Sequence, residues 1–313
     1  MKQRPPVFRP AAIAAALLAA LALAACAGDS DDVNGRAQVR VVTSLTVFEN
    51  FVQEIGGNRL EVSAILPFGA DPHTYEPTPL DVRRIAESDI VFVNGFGLEP
   101  AALKVITPNL PSGVPLVELG EEAVQAGVTL RHAGEGDDGD GADPHLWLSV
   151  DNAREYVRII RDALTETDPE GAAKYEQNYQ GYLTRLDELD EYVQDRLSAL
   201  PPQRRKLVTT HDAFGYLADY IGFEVAAVVS VSPGQEPSAG DIAALVQTIE
   251  EVGVAAVFEE PQLGTEASIL KQAAEDADVE VCTLYSGALD DQVPTYIDMM
   301  RFNADELARC LAV

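Results

Sequence analysis

The chain has 313 residues, enough for two domains, because domains usually contain about 100 to 200 residues. Hydrophobic residues make up 47% of the chain, which suffices for ordinary cores. The 22 Lys and Arg against 51 Asp and Glu give a formal net charge of −29, which repels nucleic-acid backbones and disfavours anionic membrane surfaces. Composition therefore excludes a nucleic-acid-binding protein and favours cations, including metal ions, as ligands.

Residues 1–25 have the pattern of a signal peptide. Basic residues without any acidic residue precede an apolar run over residues 11–25. The run is shorter than the ~20 residues that cross a bilayer as a helix, so a cleaved export signal is favoured over a permanent transmembrane anchor. We therefore expect an extracytoplasmic protein.

Small residues directly before Cys26 resemble the lipobox of bacterial lipoproteins. Cleavage at a lipobox leaves the cysteine as the diacylglycerol-bearing N-terminus, so we predict that Cys26 is lipidated. Residues 26–38 are polar and acidic, and they would form a tether between the membrane and the fold. An ordinary secretory signal with a chance cysteine is the alternative.

Export places the other two cysteines, Cys282 and Cys310, in an oxidising compartment, where such a pair tends to form a disulfide. We therefore predict a bridge between them. Two buried thiols that never meet are the alternative, because the sequence does not give the Cα separation that a bridge requires.

Alternating strand and helix patterns predict the fold class. Near-continuous runs of Val, Ile and Ala indicate the buried strands of parallel sheets, and helical periodicity fills most of the intervals between them. Strands are predicted at residues 38–43, 61–66, 89–94, 206–210, 224–229, 254–258 and 280–284. This order predicts an α/β fold with two lobes, over residues 39–168 and 201–313.

The two halves share a spaced pattern, which indicates pseudo-repeated lobes. The matching positions are Thr43-Ser44, Phe48 and Ile55-Gly56 in the first half, and Thr209-Thr210, Phe214 and Ile221-Gly222 in the second. Between the halves, residues 169–200 place apolar side chains at helical intervals until Pro201-Pro202 stops the pattern. We expect one long helix that connects both lobes, since a coiled-coil arm would need a sustained heptad.

Residues 131–143 are rich in Asp, Glu and Gly. This composition predicts a mobile acidic loop. A solvated loop without a role and a weak cation-collecting flap are both compatible with it.

Three of the four histidines lie in predicted loops. His73 and His145 each end an Asp-Pro-His triplet, and His211 directly follows a predicted strand. A single loop histidine is usually a surface residue, but open α/β sheets bind ligands beyond the carboxyl ends of their strands. Three histidines at such positions indicate a shared site in the cleft between the lobes.

Three imidazoles with a carboxylate or water form the four-coordinate site that Zn²⁺ prefers, whereas an oxygen-rich set favours Mn²⁺. We therefore predict that His73, His145 and His211 bind Zn(II). The neighbouring Asp143 and Asp212 are candidates to accept the free ring N–H and fix each tautomer.

Five stretches carry a resemblance to a known family. They are Asp71-Pro72-His73-Thr74-Tyr75-Glu76-Pro77, Asp143-Pro144-His145-Leu146-Trp147-Leu148, Thr210-His211-Asp212-Ala213-Phe214-Gly215-Tyr216, Phe258-Glu259-Glu260-Pro261-Gln262, and Tyr296 to Asn303. From about Val39 onward the chain resembles the zinc-binding solute-binding lipoproteins of bacterial ABC importers, the helical-backbone class of metal receptors. The resemblance implies two α/β lobes joined by one long helix, with the metal bound in the cleft by His73 and His145 from the first lobe and His211 from the second. Manganese-type relatives usually have Glu at the third position, so His211 points to zinc.

The expected function is that of an extracytoplasmic, lipid-anchored and monomeric zinc receptor, which delivers Zn(II) to the membrane permease of an ABC importer and catalyses no reaction. One alternative is a secreted zinc hydrolase with Glu259 or Glu260 as base, but the chain has no His-Glu-x-x-His helix. A metal-binding adhesin is a further alternative that the resemblance suggests.

The fourth metal ligand is the least determined part of the expected site. Relatives commonly present Asp two residues after the equivalent of Tyr285, where this chain has Gly287. Because a loop that contains glycine can move a nearby carboxylate into place, we predict Asp290 as the fourth ligand. Asp291, Glu260 and water are the alternatives.

Overall fold

A computed structural model describes residues 38–132, 141–230 and 239–312. The predicted signal peptide, the lipidation site Cys26 and residues 26–37 of the tether lie outside the described residues. So do residues 133–140, most of the segment that the sequence predicts to be a mobile acidic loop. Within the described part of the chain, no helix combines the length and the apolarity that crossing a bilayer requires.

Eight parallel strands form the framework of the described part of the chain. They are β1 (Val39–Thr43), β2 (Leu60–Ala64), β3 (Ile90–Val93), β4 (Leu116–Glu118), β5 (Lys206–His211), β6 (Glu224–Ser230), β7 (Ala256–Glu259) and β8 (Glu280–Thr283). One four-stranded sheet has the order β2-β1-β3-β4 and the other has the order β6-β5-β7-β8. The predicted α/β fold with two parallel-sheet lobes is thereby confirmed, although the sequence did not predict β4.

Helices lie between the strands and after the last of them. They are α1 (Thr46–Gly56), α2 (Pro79–Ala86), α3 (Pro100–Asn109), α4 (Leu119–Gln125), α5 (Val150–Thr167), α6 (Ala172–Ser198), α7 (Gly215–Ile221), α8 (Ala239–Val252), α9 (Gly264–Asp276) and α10 (Tyr296–Leu311). At the start of α2, the Thr78 hydroxyl accepts a hydrogen bond from the Asp81 amide, and the Asp81 carboxylate accepts one from the Thr78 amide. This capping box fixes the end of the loop that follows β2 and carries His73.

The pseudo-repeat extends to buried hydrogen bonds at the ends of the central strands. Beyond β1, the Ser44 hydroxyl donates to Glu99 over 2.8 Å, and in β5 the Thr210 hydroxyl donates to Glu260 over 2.6 Å. Both glutamates are fully buried. Each lobe therefore positions one carboxylate beside the end of its first strand, but only the second lobe has a histidine, His211, next to it.

The long helix α6 connects the lobes. One side of it is buried over its whole length, at Tyr175, Tyr182, Leu186, Leu189, Val193 and Leu197. It packs against α1, α5 and α10. One hydrophobic cluster contains residues of both sheets, such as Val41 and Phe258, together with Leu186 of α6. The two lobes are thus joined by a continuous apolar interior, which holds their facing edges in place.

Cys282 in β8 and Cys310 in α10 are joined by a disulfide bond. Both residues are buried. The bond ties the edge strand of the second sheet to the last helix and encloses the intervening segment in a covalent loop.

Candidate metal centre

Three imidazoles meet between the lobes. His73 lies in the loop after β2, His145 lies immediately before the short 3-10 helix Leu146–Leu148, and His211 is the last residue of β5. Their ring centroids are 5.2 to 5.6 Å apart. One ligand nitrogen from each ring lies within 4.8 Å of the other two. A single metal ion placed between these nitrogens can contact all three rings.

The space between the rings is small and shielded from solvent. His145 and His211 are each only 3% exposed. The cavity has a volume of about 10 Å³ and is also lined by Trp147, Gln262 and Gly287. A cavity of this size holds roughly one water-sized sphere. The site therefore suits one small ion with little accompanying water.

Two hydrogen bonds hold the loop that contains His145. The Asn94 amide, which follows β3, donates to the carbonyl oxygen of Pro144 over 2.9 Å. His145 Nδ1 lies 3.0 Å from Asp143 Oδ1, the partner expected from the sequence. Because the carboxylate accepts the proton of Nδ1, Nε2 is the nitrogen left to bind a metal.

His211 has a different partner from the predicted Asp212. Its Nδ1 lies 2.6 Å from Oε1 of the fully buried Glu260, which follows β7. Burial favours the neutral imidazole, but the charge and hydrogen bond of Glu260 outweigh burial and raise the pKa of His211. Burial also opposes ionisation of Glu260, yet His211 lowers the pKa of this carboxyl below its ordinary value. The pair therefore consists of a carboxylate and an imidazole that readily holds a proton.

The pKa of His73 is shifted in the opposite direction from that of His211. Burial, followed by the neighbouring His145 and His211, lowers the pKa of His73 well below its ordinary value. Its backbone amide donates to Asp71 Oδ1 over 3.1 Å, which stabilises the turn. The Nε2 atoms of His73 and His211 are buried and have no hydrogen-bond partner among the described residues. Buried nitrogen atoms that lack a partner fit the role of metal ligands.

Asp290 does not lie with the imidazoles, so the prediction that it supplies the fourth ligand is corrected. Its Oδ2 accepts from the Tyr285 hydroxyl over 2.8 Å, and its Oδ1 accepts from the amides of Gln292 and Val293 over 2.8 and 3.0 Å. The carboxylate thus caps its own loop. Among the described residues, the group of potential ligands at the cavity contains the three histidines and no carboxylate.

Gly287 occupies the place where a fourth carboxylate was expected from relatives. It lines the cavity, but a Cβ atom at this position would lie 3.1 Å from the Trp147 ring, and its φ is +154°. The Trp147 indole N–H also donates to the Ser286 carbonyl over 2.8 Å, which joins the two lobes beside the metal centre. The indole therefore occupies the space that a side chain at position 287 would need.

Sequence reasoning missed the pairing of Glu260 with His211 and the presence of Gln262 in the cavity wall. Both residues belong to the stretch Phe258-Glu259-Glu260-Pro261-Gln262, whose last three residues directly follow β7. Position at the carboxyl end of a strand was the signal that could have identified them, as it identified the histidines.

Comparisons with known proteins agree with this architecture. Residues 41–310 match the family described as zinc-uptake complex component A, periplasmic. The chain is 33% identical over 294 residues to the manganese-binding lipoprotein MntA of Halalkalibacterium halodurans, a match that covers 93% of both chains. It is 27% identical over 300 residues to the manganese ABC transporter substrate-binding lipoprotein PsaA of Streptococcus pneumoniae, covering 94% of this chain and 96% of the relative.

A solved structure shows the same fold. The periplasmic zinc binding protein TroA from Treponema pallidum superposes with a TM-score of 0.78 at 28% identity, covering 88% of this chain and 99% of the other. The similarity therefore includes both lobes and the helix between them.

Proposed function

The chain belongs to the family of the periplasmic zinc-uptake complex component A, and we propose that within this family it is a receptor for zinc. Its relatives are substrate-binding lipoproteins of ABC transporters. The protein is accordingly an extracytoplasmic metal-binding receptor of an ABC importer, attached to the membrane surface, and it is not an enzyme.

The proposal that the ion is zinc rests on one observation, the set of three imidazole donors. The names of the relatives do not decide it, since two of them bind manganese by name and the structural neighbour binds zinc. Three histidine nitrogens converge, and no carboxylate joins them among the described residues. Nitrogen donors suit Zn²⁺, whereas Mn²⁺ favours carboxylate and water oxygen. The donor set therefore supports zinc as the cargo.

The residues behind the imidazoles explain how the site captures a dication. Asp143 and Glu260 accept hydrogen bonds from Nδ1 of His145 and His211, so the ring nitrogens that face the ion are the more basic ones. The two carboxylates also offset the charge of a buried cation. Release to the membrane permease then requires no chemical step, only the separation of ligands that come from both lobes.

Among the described residues, neither glutamate that the sequence offers as a hydrolytic base is available for that role. Glu260 is occupied by His211 and Thr210, and Glu259 forms an ion pair with Lys271 over 2.6 Å. The cavity between the imidazoles has a volume of about 10 Å³, which is about the size of one water molecule or small ion. These features support a binding protein, as expected for the family.

Metal analysis of protein purified without added metal, followed by competition between Zn²⁺ and Mn²⁺, tests the proposed cargo. We expect zinc to be retained and to displace manganese. Zinc should also raise the melting temperature at neutral pH, because the ion binds only the native arrangement of both lobes. Tighter binding of manganese, or a melting temperature unchanged by stoichiometric zinc, would contradict the proposal.

We expect His211→Glu to lower the ratio of zinc to manganese affinity by about tenfold or more, because an oxygen donor replaces a nitrogen donor. The new carboxylate would face Glu260, so the variant should also lose stability through repulsion of like charges. The double variant His211→Glu/Glu260→Gln should regain stability and keep the lower ratio. Competition titrations with both ions measure the ratio, and a ratio that stays the same or increases in the double variant would refute the expectation.

We propose that Cys26 carries the lipid and that the mature protein acts as a monomer next to its permease. Cys26→Ala should release the protein from the membrane fraction and leave the zinc affinity of the soluble domain unchanged, because the tether separates the anchor from the cleft. Fractionation of cells that lack the permease gives the decisive measurement. Retention of the variant in their membranes would exclude lipidation as the anchor.

A further inference from the structure

Three polar side-chain atoms of the cavity-lining residues are buried and have no hydrogen-bond partner among the described residues. They are His73 Nε2, His211 Nε2 and Gln262 Oε1. The first two belong to imidazoles of the proposed zinc site. Buried polar atoms in native proteins are nearly always paired, so each exception requires an explanation. Gln262 Oε1 shares the property that marks the two histidines as ligands.

The hydrogen bonds of Gln262 determine which end of its amide remains for an ion. The amide nitrogen lies 3.1 Å from Glu260 Oε2 and 3.0 Å from Ser286 Oγ. A carboxylate oxygen only accepts hydrogen bonds, so the end of the amide beside Glu260 must be the NH₂ group. Gln262 is therefore anchored by the same carboxylate that orients His211, and its oxygen is the atom without a partner.

Other oxygen-bearing side chains near the cavity already have partners. Both carboxylate oxygens of Asp71 accept hydrogen bonds from their own loop, as do those of Asp290. Thr46 Oγ1 is hydrogen-bonded to the loop that contains Gly287, and Ser286 Oγ accepts from Gln262. Gly287 has no side chain to contribute.

We propose that Gln262 Oε1 is the fourth donor of the site, directly or through one water molecule, and that this neutral oxygen favours zinc over manganese. Three nitrogens and one oxygen complete the four-coordinate arrangement that zinc prefers. A neutral amide adds no anionic oxygen, the kind of donor that suits manganese. The ion in this inference rests on the proposed function, whereas the role of Gln262 rests on its own contacts.

The test compares Gln262→Met, which removes both polar ends of the amide, with Gln262→Glu, which keeps an oxygen and adds charge. Gln272→Met is the matched control, because Gln272 is an exposed residue of α9 whose amide contacts only Asp276 in its own helix among the contacts described. Zinc and manganese affinities are measured by competition. Co²⁺ serves as a spectroscopic probe of the donor set, and the melting temperature of the metal-free protein reports on structural damage.

We expect Gln262→Met to weaken zinc binding by about tenfold or more, on the order of the effect of other supporting groups in metal sites. The visible spectrum of bound Co²⁺ should change, while the melting temperature of the metal-free protein stays within about 2 °C of the control. Gln262→Glu should retain zinc and lower the zinc-to-manganese ratio. A loss of metal-free stability in Gln262→Met with an unchanged Co²⁺ spectrum would show a purely structural role and overturn the proposal.

Identical affinities and Co²⁺ spectra for Gln262→Met and Gln272→Met would also overturn it. Failure of the zinc assignment gives a different result, because the wild-type protein purified without added metal would then retain manganese rather than zinc. In that case the affinity and spectral changes in Gln262→Met still decide whether Gln262 belongs to the site.

Discussion

We expect His145→Ala to weaken zinc binding by about 1000-fold or more, which corresponds to about 4 kcal/mol. The substitution removes one of three imidazoles and leaves the buried Asp143 carboxylate without its ring partner. The remaining two imidazoles come from different lobes and cannot hold the ion with tetrahedral geometry by themselves.

His132→Ala is the matched control. His132 is exposed, pairs with Ala142 in a short backbone bridge and does not belong to the group of three. Competition with a chromophoric chelator measures both affinities. Equal affinity of the two variants for zinc would place the ion somewhere other than the site between the lobes.

Zinc affinity should fall by up to about 100-fold when the pH is lowered from about 7.5 to about 5.5, because one displaced proton costs at most about tenfold per pH unit. His211 determines where the loss begins. Burial alone would lower its pKa, but Glu260 raises the pKa of His211 above its ordinary value. Zinc affinity is thus highest above the pKa of His211 and decreases as the pH falls through that pKa. Burial and the other two imidazoles lower the pKa of His73, so protons compete less for this ring than for His211.

Glu260→Gln supplies the control for this assignment. Without the carboxylate, the pKa of His211 should decrease, so the loss of affinity should begin at a lower pH than in the wild-type protein. The measurement is zinc affinity against pH in both proteins, together with proton release on binding. An onset at the same pH in both would mean that the pair of His211 and Glu260 does not control proton competition.

Much of the fold could be predicted from the sequence, because buried parallel strands appear in it as continuous apolar runs. β4 was missed, since Leu116–Glu118 has only three residues and follows Pro115, too short a run to show a period. The long helix was recognised from its buried apolar side, and the structure gives it the bounds Ala172–Ser198.

The metal centre was predictable where it depends on position along the chain. The three histidines follow strands or lie in repeated triplets, and the fold brings them together. The position of Glu260 after a strand could be recognised, but its pairing with His211 could not, because that contact depends on β5 and β7 being neighbours in the sheet. The replacement of a carboxylate at Gly287 depends on contact with Trp147 of the other lobe. The order of residues along the chain reveals neither of these two contacts.

The disulfide between Cys282 and Cys310 affects how this protein behaves in the test tube. The bond spans a sequence separation of 28, and closing a loop of that length stabilises a protein by about 3 to 4 kcal/mol in the chain-entropy description. The enclosed segment contains Ser286 and Gly287, which line the metal cavity. Reduction of this bond by dithiothreitol would remove the constraint on that wall of the cavity, and dithiothreitol also chelates zinc. Affinities measured on reduced protein would therefore describe a different molecule from the disulfide-bonded one.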